Sequence, residues 1–167
     1  MTKNISRELK SIRILLGLFI IGLILSGITA FPLIHELKFL DSYFGLNSEL
    51  GKSFPILGKW ISQVYMGLSE TNAKYPFILY GTDWLAFSHL VIATAFIGPF
   101  RDPIKNKWVI QFGLIACAAI IPLAFICGPI RGIPFYWRLI DCSFGVFGSL
   151  PLILVLRQIA NIETSRK

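Results

Sequence analysis

At 167 residues, 54% hydrophobic and only 15% charged, with a mean hydropathy of +0.68, the chain is too apolar for an ordinary soluble domain, which carries about 25% charged residues. Its four apolar runs of about 20 residues are each long enough to cross roughly 30 Å of hydrocarbon. The expected fold is therefore all-α, a single membrane domain over residues 1–167 built as a polytopic four-helix bundle. The net charge of +7, from 16 Lys and Arg against 9 Asp and Glu, is what basic residues gathered beside spans produce, and it does not call for a nucleic-acid partner.

The first span is predicted over residues 14–34, behind a basic N-terminus holding Lys3, Arg7, Lys10 and Arg13. A basic stretch, the apolar run 14–25 and small residues up to Ala30 partly fit a signal peptide. The apolar character continues past Phe31, which favours an uncleaved span. Gly17, Gly22, Gly27 and Ser26 predict a packing surface along it. The following loop, 35–76, is no simple linker. Ile56, Leu57, Trp60, Ile61, Val64, Tyr65 and Leu68 recur with helical period opposite Lys59, Ser62 and Gln63, which predicts an amphipathic helix over 56–68. Two placements suit this helix: lying in the outer membrane interface with Trp60 and Tyr65 among the headgroups, or packed on the bundle as a lid.

Further spans are predicted over 77–100, 108–127 and 135–156. Gly98-Pro99 and Gly128-Pro129 read as stops, with Gly supplying a left-handed cap and Pro forbidding continuation. The run from Gly128 to Arg138 predicts an ordered outer loop anchored by Tyr136 and Trp137. Orientation follows from the cations. The N-terminus holds four, the loop with Arg101, Lys105 and Lys107 three, and the tail with Arg157, Arg166 and Lys167 three, which makes ten on one side against six on the other. The positive-inside rule then puts both termini in the cytoplasm, with the bacterial inner membrane as the expected location.

Ionisable residues inside spans are the best pointers to function, because an unpaired charge at the bilayer centre costs at least a few kcal/mol. Asp83 and Asp141 each lie about six residues from the outer end of a span, roughly 9 Å deep. Arg138 and Asp141 are spaced i, i+3, which permits a salt bridge, on a face that continues through Gly145, Gly148 and Leu152 and is expected to point inward. Thr82, Ala86, His89 and Ala93 share a small, polar face beside Asp83. Where such faces meet, Asp83, Asp141 and Arg138 form an outer-leaflet network. Arg131 then completes it, or one acid holds a proton. The plainer reading is that paired charges near helix ends fix register and snorkel.

His89 is expected to be neutral and hydrogen-bonded near the bilayer centre. His35 lies at a different depth, so no bis-imidazole haem and no other cofactor is expected. Cys117, Cys127 and Cys142 form no C-x-x-C pair and imply no metal site, though a disulfide between Cys127 and Cys142 is geometrically conceivable. With no nucleophile beside a base, no metal cluster and no phosphate loop, the leading expectation is a non-catalytic binding, accessory or transport-related subunit. Its partners would be the bilayer itself, a lipid headgroup or amphipathic small molecule, and a second copy or another membrane protein. Arg138, Arg131, Trp84 and Trp137 are its candidate binding residues. The alternative is an enzyme acting on a lipid, isoprenoid or quinone-like substrate, with Asp83, Asp141 and His89 as acid–base groups.

Overall fold

The computed structural model describes residues 2–165, with side chains from Ile5 onward. Arg166 and Lys167 of the basic tail, and the Lys3 side chain, lie outside the described residues. The chain is all-helical: α1 (Thr2–Ala30), α2 (Leu33–Phe44), α3 (Glu49–Ser53), α4 (Pro55–Lys74), a 3-10 turn (Pro76–Leu79), α5 (Tyr80–Ala95), α6 (Ile97–Arg101), α7 (Lys107–Ile130) and α8 (Phe135–Ser165). Four stretches are long and apolar enough to cross a membrane: Ile5–Ala30, Pro76–Arg101, Lys107–Ile130 and Phe135–Ser165. Four such helices fit a multi-pass membrane protein.

Several limits differ from those expected, each for a local reason. The first span stops at Ala30 rather than at residue 34, because the residue before a proline is pushed out of the helical region and Pro32 has no N–H to continue the ladder. Residues 33–44 then form the separate helix α2. Gly98-Pro99 is not a stop but lies inside α6, which runs on to Arg101. The interruption falls at Phe96, since Pro99 supplies no N–H for the carbonyl of Ala95 and its ring crowds that carbonyl. Gly128-Pro129 is likewise helical, and α7 ends at Ile130. The left-handed residue is Gly132, φ 69°, the only non-helical glycine of this kind among the described residues. Its N–H donates to the Pro129 carbonyl at 3.1 Å, and the N–H of Ile133 to that of Gly128 at 2.9 Å, the paired bonds of a Schellman ending.

By packing, the chain divides into two compact units, Met1–Gly22 with Ala93–Lys167, and Leu23–Ile92. In the first, Ile12, Leu16, Phe96, Ile110, Leu152, Val155, Ile159 and Ile162 are wholly buried. Lipid tails are as apolar as leucine, so these helices are held by close van der Waals approach. A methyl group on Gly145 of α8 would lie 2.5 Å from the Cys117 carbonyl oxygen of α7. One on Gly113 would lie 2.6 Å from Phe96 Cζ and 2.9 Å from Leu152 Cδ1. Phe96, at the break before α6, fills that space and stacks 4.7 Å from Phe19. The fourth span continues nine residues beyond 156, to Ser165, because its last turns have partners. Glu163 Oε2 pairs with Lys107 Nζ at 2.8 Å, Gln158 Nε2 donates to Ser11 Oγ at 3.1 Å, and Ile159 and Ile162 are buried.

In the second unit α4 spans 55–74, wider than the expected 56–68, and packs on α2. Of its apolar stripe Ile61 is 6% exposed whereas Ile56 is 75% exposed, so the face centred on Gly58 and Ile61 is covered by protein and its first turn is open. The reversal from α2 to α4 is tightly tied. Ser62 Oγ donates to Asp41 Oδ1 at 2.5 Å and accepts from the Leu46 N–H at 3.0 Å, while Ser48 caps α3 by accepting from the Gly51 N–H at 2.9 Å. Gly45, Gly51 and Gly58 are buried where backbone meets backbone. On α1, Gly27 is the buried member of the expected glycine surface, and its absent side chain would meet the Ala86 carbonyl of α5 at 2.9 Å.

The turn between α6 and α7 closes on Asp102. The Lys105 N–H donates to Asp102 Oδ1 at 3.2 Å and Lys105 Nζ stands 3.5 Å from Oδ2. These contacts, the backbone bond first, hold the carboxyl below the usual carboxylate range.

Two measurements test these arguments. Thermal unfolding in mild detergent should show Gly145→Ala destabilised by about 1–3 kcal/mol, since the helices must part. Gly67→Ala, where nothing lies within 4 Å, should be stabilised by up to about 1 kcal/mol. The folded-state pKa of Asp102 is depressed, so the order it lends the turn is complete above its unfolded-state pKa and is lost as pH falls through the folded value. Local opening of the Lys105 amide, once corrected for intrinsic exchange chemistry, should therefore rise only under acid conditions, and Asp102→Asn should abolish that dependence.

Candidate functional site

Within the first unit the site is built at the α7–α8 turn. Gly132 reverses the chain, the Pro134 carbonyl accepts from the N–H groups of Trp137 and Arg138 at 3.1 Å each, and α8 starts with Phe135. This sets Phe135 beside Phe125 of α7, ring centres 6.1 Å apart and planes at 60°. Side chains on a helix lean toward its N-terminus, so Arg138 runs back over α7. Its stem lies on buried Gly128, where a methyl group would collide with Arg138 Cδ and stand 2.9 Å from Cγ. The guanidinium carbon rests 5.2 Å from the Phe135 ring centre and 6.0 Å from that of Phe125, within the range of cation–π attraction.

The same lean takes Arg138 away from Asp141, and the expected i, i+3 salt bridge is not made. The ion pairs among the described residues are Lys52–Glu49, Lys105–Asp102 and Lys107–Glu163. Arg138 Nε is shielded from solvent and has no hydrogen-bond acceptor among the described residues. Asp141 is half-buried one turn further along. Arg131 caps α7, its N–H donating to the Cys127 carbonyl at 3.0 Å, with its side chain exposed, and Trp137 is half-buried beside Arg138 in sequence. The three cysteines are free, with Cys127 exposed and Cys117 buried.

Asp83, Trp84 and His89 belong to the other unit. Asp83 is half-buried in the first turn of α5, which follows the 3-10 turn without a break. Trp84 is 53% exposed and stands edge-on to Tyr80 and Phe87, an outward aromatic ladder of the kind found at membrane interfaces. The Nδ1 of His89 is 2.8 Å from the Leu85 carbonyl one turn earlier. A carbonyl only accepts, so Nδ1 carries the proton and Nε2 is the remaining functional atom. No group of three or more His, Cys, Asp or Glu able to hold a metal occurs among the described residues.

Sequence reasoning singled out Arg138 but not its surroundings, Phe125, Phe135 and the saddle at Gly128. Gly128 was legible only as a stop signal, because its service to Arg138 ten residues later depends on the reversal at Gly132. No protein-family model, curated protein or solved structure matches this chain.

The Gly128–Arg138 contact predicts a specific coupling. Gly128→Ala should destabilise the protein in thermal unfolding, and that cost should largely vanish in an Arg138→Ala background, a coupling of about 1 kcal/mol between contacting residues.

Proposed function

We propose that this protein is a non-catalytic binding or accessory subunit of a membrane, holding an anionic headgroup or the acidic group of an amphipathic molecule at Arg138. One observation carries the reading: a guanidinium on a candidate span rests on two aromatic rings, with no carboxylate partner among the described residues and with Nε shielded and unbonded. A charge left in that state is costly, and a phosphate or carboxylate accepting two parallel N–H bonds would offset the cost. In this reading Arg131 and Trp137 flank the ligand, and Trp84 steadies the second span at the interface. The open first turn of α4 lies in the headgroup layer. The cation distribution supports cytoplasmic termini and hence an outer-leaflet site, in a bacterial inner membrane. Self-association or a membrane-protein partner would add to the wall of the site.

A second reading has its own support. Since His89 commits Nδ1–H to the Leu85 carbonyl, its Nε2 is left as an acceptor, which suits acid–base chemistry with Asp83 of the same helix on a lipid-like substrate.

Counting retained anionic lipid on the purified protein by native mass spectrometry separates these ideas. Arg138→Gln should lose one bound anion, whereas Arg138→Lys keeps part of the affinity because a point charge replaces the planar fork. Asp83→Asn and Asp141→Asn should leave retention intact. Full retention in Arg138→Gln sinks the binding site. A pH-dependent turnover abolished in Asp83→Asn would favour the enzyme.

A further inference from the structure

We infer that the first unit carries a second anion site, for the phosphate of an anionic phospholipid, at the opposite end of α7 from Arg138. Here the first turns of α1 line a cavity of about 470 Å³, and α1 with residues 101–105 lines an adjoining one of about 250 Å³ that shares Leu9 and Arg13 with it. Arg13 and Arg101 meet at the smaller of the two. Four cations face these cavities: Lys10 and Arg13 from α1, Arg101 from the last turn of α6, and Lys105 from the turn. The single acid in their lining is Asp102, and both of its oxygens are already engaged by Lys105. Lys10, Arg13 and Arg101 take part in no ion pair among the described residues.

Two features point to a lipid headgroup rather than to diffuse surface charge. The positive-inside rule asks only that cations lie near span ends; it does not ask that Arg13 and Arg101, 88 positions apart on separate helices, line one cavity. That cavity is also amphipathic. Leu9, Pro103 and Ile104 give it an apolar side beside the cations, Ile5 and Leu9 do the same for its neighbour, and candidate spans begin at Ile5 and end at Arg101. A phosphodiester at the edge of the hydrocarbon fits both sides, its anionic oxygens on the arginines and its glycerol and first methylenes on the aliphatic wall.

The test uses the full chain in detergent, titrated with phosphatidylglycerol, phosphatidylcholine or inorganic phosphate and followed by native mass spectrometry and thermal midpoint. Arg13→Gln/Arg101→Gln should bind phosphatidylglycerol about 25-fold more weakly, roughly fivefold per cation. Lys59→Gln/Lys74→Gln, which removes equal charge from α4, should bind as the parent does. Arg13→Lys/Arg101→Lys should keep most of the affinity, which separates loss of charge from loss of fold. Repeating the titration in Arg138→Gln isolates this site from the one above, so either can fail alone. Saturation by phosphate without phosphatidylglycerol would reassign the site to a free anion and overturn the lipid reading. Undiminished binding in the Arg13/Arg101 double variant, or equal loss in the Lys59/Lys74 control, would overturn the site itself.

Discussion

The closest approach to backbone in the first unit is that of α8 to α7, where Gly145 brings one helix against the Cys117 carbonyl of the other. In a medium as apolar as the side chains themselves, burial adds little and contact distance decides how tightly helices hold. Everything near this seam is arranged to permit that distance. Gly113 leaves room for Phe96, and Phe96 is free to enter because Pro99 interrupts the second span one turn later.

Arg138 depends on the same seam. A Schellman ending at Gly132 makes the reversal short, so the first turn of α8 must lie on the last turns of α7. Gly128 is then the position over which the arginine stem passes, and Phe125 and Phe135 are the rings its guanidinium meets. The protein treats its charges in two ways. Lys107 and Glu163, and Lys105 and Asp102, are matched with partners at one end of the unit, whereas Arg138 at the other end is offered aromatic faces in place of an acid. Cation–π attraction offsets only part of what an ion pair would, and that difference is the ground of the anion site proposed at Arg138.

Much of the architecture was legible beforehand, because span length and apolar content obey the thickness of a bilayer and need no tertiary information. The four helices apolar enough to cross a membrane overlap the four apolar runs, the first starting and ending earlier than 14–34, and a helix covers 56–68. The ends were less legible. Gly98 and Gly128 carried the stop signal, yet both are helical and Gly132 is the left-handed residue. Glycine before proline is compatible with either state when neighbouring helices support the freed carbonyls. The fourth span outran its apolar segment because Glu163 and Gln158 found partners on other helices, which no local pattern encodes.

Composition and periodicity alone determined that this chain is helical, that it has four segments long and apolar enough to cross a membrane, and that Arg138 and Asp141 share one of them, since these properties are summed along a single helix. Only the tertiary structure decided that Arg138 turns to Gly128 and two phenylalanines instead of to Asp141, and that Arg13 and Arg101 border one cavity. The reason is physical: a side chain's direction is set by the backbone under it, but its partners are set by whichever helix the chain reversal brings within reach.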